Sequence, residues 1–222
     1  MKNAKKLLSV LLAAVLMLAL AACGGKSDAE KIVGTWVCEL DMTDIYNESV
    51  YDTEIDMTVD SLVVDMVFTF NADGTYTSGM DEDSYRAAMT AALETGKESL
   101  KGYMDETVQQ LAAGYGLTID EVISQLGCAD MDEFYTMMLG TSLDDYIAET
   151  LEASVTEAVN ASRTSGTYEA KDGVLYSVSN GEEGSEAYEF IDDNTLQFSA
   201  TEATDNDELL SQFYPLTLKR VG

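Results

Sequence analysis

The feature that most constrains the fold is an alternation of apolar and polar side chains on both sides of a helix-like block. In residues 31–42, every second side chain from Trp36 to Met42 is apolar. Residues 62–70 repeat the pattern, and Asn71-Ala72-Asp73-Gly74 then turns the chain into a returning strand. A period of two places the apolar side chains on one face of a strand. The first part of the chain therefore predicts half-buried strands, including a hairpin.

Short alternating segments resume after residue 163 and continue to residue 222. Connectors of turn composition separate them, such as Lys171-Asp172-Gly173 and Asp192-Asp193-Asn194. These connectors indicate antiparallel pairing, because a parallel crossover needs a dozen or more residues. Neither group of strands is large enough for a good core alone. Joined, they make about eight or nine strands, which predicts an α+β protein with a closed antiparallel barrel.

The intervening block, residues 80–163, has the composition and the end signals of helices. Thr118 and Glu121 have capping-box spacing, and Ser142 has the position of another N-cap. Gly127 and Gly140 stand where glycine commonly ends a helix. The block predicts about four or five short helices with an inner face rich in Met, Leu and Tyr. We expect it to be an insertion of about 80 residues at one end of the barrel.

Two points stay open in the sequence. Residues 43–60 fit either a helix face or an alternating strand, and the frequency of Thr, Val and Ile favours a strand over 49–59. Cys38 and Cys128 are either two free thiols or one disulfide, because cysteine count alone does not decide between these states.

The N-terminus has the order of a secretory signal peptide, with basic residues before an apolar run of 14 residues, Leu7–Leu20. A membrane span would need about 20 residues. The run ends in Leu20-Ala21-Ala22-Cys23, which resembles the lipobox of bacterial lipoproteins. The resemblance implies removal of residues 1–22, lipidation of Cys23 and a lipidated tether over residues 23–30. The mature protein is then expected outside the cytoplasm, anchored to the cell membrane by its lipid.

Composition excludes several classes of function. Acidic residues outnumber basic residues by 41 to 12, so the surface repels nucleic acid and no nucleic-acid partner is expected. Histidine is absent, which excludes a Ser-His-Asp triad and every zinc site that contains histidine. The carboxylates mark no particular catalytic pair, and the loop aspartates do not have EF-hand spacing. We therefore expect no enzyme activity, no catalytic residue, no cofactor and no metal site.

Four short segments resemble the lipocalin-like, or calycin-type, domains of bacterial surface lipoproteins. They are Gly34-Thr35-Trp36, Phe68–Tyr76, Gly166-Thr167-Tyr168 and Leu216–Arg220, and they fall within residues 31–79 and 164–222. The resemblance implies that Gly34 and Trp36 lie at the closed base of the barrel. It also implies that Arg220 or Lys219 covers the Trp36 ring by a cation–π contact. The helical block departs from the compact loops of lipocalins.

Two functions follow as expectations. The first is a non-catalytic binding module that takes an apolar ligand or peptide at the barrel mouth, where such folds commonly bind. Its expected lining residues are Phe68, Phe70, Tyr168, Tyr176 and Phe198. The alternative is an interaction or scaffold protein of the cell envelope, which contacts a partner protein through the acidic helical insertion.

Overall fold

The alternating stretches form strands, and these strands belong to one closed barrel. The structure is a computed structural model that describes residues 27–51, 55–201 and 211–222. Within these residues the barrel has eight antiparallel strands. They are β1 (Gly34–Asp41), β2 (Val63–Phe70), β3 (Thr75–Met80), β4 (Thr164–Lys171), β5 (Val174–Ser179), β6 (Glu182–Asp192), β7 (Thr195–Ser199) and β8 (Leu216–Val221).

Each strand pairs with the next one along the chain, and β1 also pairs with β8, which closes the barrel. In the closing pair, Trp36 lies opposite Arg220. Strands β3 and β4 pair directly, with Thr75 opposite Thr167, although helices separate them in the chain. The prediction that both groups of strands join in one closed antiparallel barrel is therefore confirmed.

The inward side chains form the largest buried cluster. Its fully buried members of greatest volume are Trp36, Phe198, Ile32, Leu196 and Leu218. Four of these come from β1, β7 and β8, and Ile32 comes from the segment before β1. Burying one side chain of this size stabilises a fold by roughly 1.5–3 kcal/mol. The wall made by β1, β7 and β8 is therefore densely filled.

The helices with described bounds stand mainly between β3 and β4. They are α1 (Asp28–Ile32), α2 (Thr43–Val50), α3 (Glu82–Gly114), α4 (Ile119–Leu126), α5 (Met131–Leu139) and α6 (Leu143–Ser162). We call α3–α6 the helical segment. Helices α3 and α6 pack on each other and contact β2 and β3. An ion pair between Arg86 and Glu152 joins the two helices, and the Ser162 hydroxyl accepts from the Met80 N–H at 2.9 Å.

The predicted helix ends are confirmed, but one helix is much longer than expected. The Thr118 hydroxyl accepts from the Glu121 N–H at 3.3 Å, and the Glu121 carboxylate accepts from the Thr118 N–H at 2.8 Å, which forms a capping box. Gly127 and Gly140 end α4 and α5 with φ of 80° and 77°, a conformation that favours glycine. Helix α3 runs for 33 residues, because no proline interrupts it after its alanine-rich start and the interior glycines Gly96 and Gly102 lower helix propensity much less than proline does.

The strand expected over residues 49–59 is wrong for the residues that the structure describes. Helix α2 occupies Thr43–Val50, and the described residues from 55 to 62 form no strand. The Asn47 side chain both donates to the Val59 carbonyl and accepts from the Val59 N–H, each at 2.9 Å. A side-chain amide therefore satisfies the backbone groups that a neighbouring strand would otherwise satisfy.

The fold starts before the predicted boundary at residue 31. Ser27 and Glu30 form a capping box at the start of α1, and Ile32 at the end of α1 is fully buried in the core. Residues 28–30, which the sequence placed in the tether, thus belong to a helix. The expected signal peptide and Cys23 lie outside the described residues. Among the helices that the structure describes, none is long and apolar enough to cross a membrane.

Candidate ligand-binding cavity in the barrel

The base of the barrel is closed by Arg220, which lies over the Trp36 ring at 4.1 Å from the guanidinium carbon to the ring centroid. The guanidinium donates to the carbonyls of Lys31, Val33 and Asp193, at 2.7 Å for Val33 and 3.2 Å for Asp193. The planar Arg220 guanidinium thus stacks on the Trp36 ring and bonds three chain segments, because its several N–H donors point in fixed directions in one plane.

Gly34 permits this arrangement for two reasons. Its φ is +138°, where side chains other than hydrogen are strained. A Cβ at this position would also collide with the Arg220 guanidinium. The neighbouring Lys219 does not cover the ring and instead donates to the Thr195 hydroxyl at 2.8 Å. Of the two basic residues considered in the sequence, Arg220 therefore makes the cation–π contact.

A second Trp36 contact fixes α1 across the base. The indole Nε1–H donates to the Ile32 carbonyl at 2.7 Å in a buried position. Because a buried indole N–H needs an acceptor, this bond orients the ring and holds the end of α1 against it. The Trp36 ring is therefore held between α1 and Arg220 at the base of the barrel.

A cavity of about 140 Å³ lies inside the barrel, between strands β2 and β7. Its walls are Phe68 and Phe70 of β2, Tyr76 and Ser78 of β3, Tyr168 of β4, Leu175 and Ser177 of β5, Glu186 of β6 and Phe198 of β7. The interior is thus filled along β1 and β8 and hollow along the opposite wall.

Aromatic rings line most of this cavity and contact one another. The Phe70 ring meets the Tyr168 ring edge-on at 5.0 Å between centroids, and the Phe68 ring meets the Phe198 ring edge-on at 6.2 Å. Tyr76 stacks near Phe70 at 6.2 Å. The Tyr168 hydroxyl donates to the Asn71 carbonyl at 2.9 Å, so this ring is anchored to the turn at the base. Edge-on pairs of this kind hold rings in defined orientations.

One carboxyl group faces the same cavity. Glu186 precedes the inward Tyr188 by two residues on β6, and its carboxylate accepts from the Tyr214 hydroxyl at 2.8 Å. Burial raises the pKa of the Glu186 carboxyl above its ordinary value, and the Tyr214 hydrogen bond opposes this rise. Burial and the Glu186 charge likewise raise the pKa of the Tyr214 phenol. The cavity therefore combines apolar walls with one ionisable group.

Four of the five aromatic residues predicted to line a binding site meet at this cavity: Phe68, Phe70, Tyr168 and Phe198. Tyr176 does not. It lies on the outer face of β5 with 49% of its surface exposed, whereas Leu175 and Ser177 on either side face inward. The prediction for Tyr176 is wrong because Val174–Val178 is apolar at most positions, so its pattern does not reveal the inner face.

The cavity has five further lining residues that were not predicted from the sequence: Tyr76, Ser78, Leu175, Ser177 and Glu186. For Glu186 a signal was present: counting back by two from Phe190 and Tyr188 places it on the inner face of β6. The residues before Ala187 have turn composition, so the sequence did not indicate that the strand begins at Glu182.

The two cysteines that the structure describes differ in their surroundings. Cys38 and Cys128 are both free thiols, and Cys38 is buried in the barrel core. Burial, aided by the nearby charge of Asp65, raises the pKa of the Cys38 thiol to about 12, so it is not a nucleophile at neutral pH. Among the described residues, no group of three Cys, Asp or Glu side chains is arranged to hold a metal ion.

Comparison with known protein families, curated proteins and solved structures finds no significant match for this chain.

Proposed function

We propose that the protein is a non-catalytic binding module that holds a small ligand with an apolar surface inside the barrel. The observation that carries the proposal is the convergence of five aromatic rings from β2, β3, β4 and β7 around one cavity. Such concave sites with apolar walls and a few polar groups are typical of small-molecule binding.

The size of the cavity limits the ligand. Drug-sized ligands occupy pockets of roughly 300–1,000 Å³, whereas this cavity measures about 140 Å³. An engineered protein cavity of about 150 Å³ binds benzene. The proposed ligand is therefore about as large as one aromatic ring, or it is the end of a longer molecule. A peptide segment larger than one side chain does not fit.

We further propose that the module is a lipocalin-like lipoprotein, anchored outside the cytoplasm by a lipid on Cys23. The arrangement of Gly34, Trp36 and Arg220 at the closed base supports the lipocalin-like part of this proposal. The order of basic residues, apolar run and Cys23 supports the lipid anchor. In this proposal the helical segment is an insertion between β3 and β4. Metabolic labelling with a clickable palmitate analogue tests the anchor, because a Cys23→Ser variant should lose the label.

Filling the cavity tests the binding function. Ser78→Leu places a branched apolar side chain into the cavity from β3, and Thr77→Leu places the same side chain on the outer face of that strand. Binding of benzene and small alcohols to the unlipidated chain is measured by ligand-observed NMR. We expect Ser78→Leu to lose binding while Thr77→Leu retains it, with Trp36 fluorescence showing that both variants fold. Absence of binding to the unaltered chain, or equal binding by Ser78→Leu, refutes the proposal.

A second function is favoured by the exposed apolar side chains of the helical segment. Met137 and Met138 of α5 expose 48% and 65% of their surfaces, and Leu111 and Tyr115 are also exposed. Flexible methionines suit an adaptable protein contact. Photo-crosslinking in intact cells tests this function, with probes at Met138 and at the exposed Glu149 as control. A partner contact predicts one discrete adduct from position 138 alone, and identical patterns from both positions argue against it.

A further inference from the structure

The carboxylate in the cavity does not fit a wholly apolar ligand. Glu186 lines the same space as Phe68, Tyr168 and Phe198. Covering a carboxylate with an apolar molecule removes its remaining contact with water and costs free energy unless the charge is compensated. A ligand that carries a positive charge removes this cost.

The chain itself supplies no such charge to Glu186 within the described residues. Their ion pairs involve Lys31, Arg86, Lys97, Lys101 and Arg163, and none of these pairs includes Glu186. Arg220 and Lys219 are engaged at the base, by the contacts with Trp36 and Thr195. Among the residues with described positions, the side-chain hydrogen-bond partner of Glu186 is the Tyr214 hydroxyl, a neutral donor. The Glu186 carboxyl group is therefore held in place by Tyr214, but no cationic side chain of the described residues pairs with it.

The rest of the cavity also favours a cation. The faces of aromatic rings attract positive charge, and rings that surround a methylated ammonium group form a familiar recognition site. Here Phe68, Phe70, Tyr76, Tyr168 and Phe198 supply the rings. The formal net charge of −29 adds a long-range field that concentrates cations and repels anions near the barrel.

We infer that the barrel cavity binds a small organic cation, with its ammonium group among the aromatic rings and paired with Glu186. The inference rests on the proposed binding function and specifies its ligand class. The cavity volume of about 140 Å³ matches a tetrahedral methylated ammonium group, which is about as large as benzene.

Choline and 3,3-dimethyl-1-butanol form a matched pair of probes, because they share one shape and differ by a charged nitrogen or a neutral carbon. Their affinities for the unlipidated chain are measured by NMR titration at physiological ionic strength, which screens weak attraction to the surface. Glu186→Gln removes the charge in the cavity and retains an acceptor for Tyr214. Glu189→Gln removes the same charge from an exposed position on the outer face of the same strand.

We expect choline to bind about tenfold more tightly than the alcohol, the size of a desolvated cation–π contact aided by a carboxylate. Glu186→Gln should lower the affinity for choline to that for the alcohol, and the fluorescence of the buried Trp36 shows whether the variant folds. Glu189→Gln should change neither affinity.

Equal affinity for the two probes overturns the inference and leaves the proposed binding function intact. Loss of choline binding to the same extent in Glu189→Gln also overturns it, since the attraction then belongs to the acidic surface. If neither probe nor benzene binds the unaltered chain, the proposed function fails together with the inference.

Discussion

Replacement of Arg220 by methionine tests whether the contacts at the base stabilise the barrel. The variant keeps an unbranched apolar stem over the Trp36 ring but loses the guanidinium. With it go the hydrogen bonds to the carbonyls of Lys31, Val33 and Asp193 and the cation–π contact at 4.1 Å. These contacts join α1, the turn before β7 and strand β1, so their loss loosens three segments together.

The expected magnitude follows from these contacts. Hydrogen bonds that involve a charged group contribute roughly 1.5–3 kcal/mol when buried. Arg220 is only partly buried, and water at the rim can replace some of its bonds, so about 1 kcal/mol each is the appropriate value. The cation–π contact adds about 0.5–1 kcal/mol. We therefore expect Arg220→Met to lower the free energy of unfolding by about 3.5–4 kcal/mol.

Urea titration of the unlipidated chain measures this loss through the fluorescence of Trp36, which is the one tryptophan and is fully buried. Lys219→Met is the matched control, because it removes one hydrogen bond, to Thr195, from the adjacent position. It should cost at most about 1 kcal/mol. Arg220→Lys keeps the charge but not the planar fork and should fall between the two. The reasoning is refuted if Arg220→Met costs no more than Lys219→Met.

Two further predictions concern titratable side chains. A thiol reagent should modify Cys128 in the native protein but modify Cys38 only after unfolding, because Cys38 is buried and its pKa is raised to about 12. Mass spectrometry of peptides identifies the modified cysteine. Labelling of Cys38 before unfolding contradicts the prediction. Because the pKa of Glu186 is raised in the folded state, folding favours the protonated carboxyl group. The protonated group therefore contributes to stability below about pH 4.5, and this contribution is lost as the pH rises through the folded pKa. Relative to the unaltered chain, Glu186→Gln should therefore gain stability as the pH rises above about 4.5, the ordinary pKa of this carboxyl. Urea titrations at a series of pH values measure this difference, and a difference that does not change with pH contradicts the raised pKa.

Local patterns predicted the elements whose cause is local. The hairpin of β2 and β3 follows from alternation on both sides of Asn71–Gly74, and the capping box at Thr118 needs only residues within one helical turn. The described residues of the strand expected over 49–59 were predicted wrongly, and one reason is that the backbone of Val59 bonds the side chain of Asn47 on α2. A propensity scale does not register such a contact.

The candidate site was predictable only in part for a similar reason. Phe68 and Phe70 lie on a strand whose alternation is clear, so their inward direction could be read from the sequence. Tyr176 lies on a strand that is apolar at most positions, and a shift of one residue sends every side chain to the opposite face. The pairing of Leu175 with Glu186 on β6 decides which residues of that strand face the cavity.

By itself, the sequence determined the period of the strands, the positions of the turns and helix caps, and the acidic, histidine-free chemistry of the chain. These properties depend on residues close to one another in the chain and on composition alone. Only the tertiary structure decided the pairing of β3 with β4 across the helical segment and of β1 with β8. Those pairings bring rings from four strands and the carboxylate of Glu186 around one space. The cavity is the space between side chains that belong to separate strands, so no single segment of the sequence encodes it.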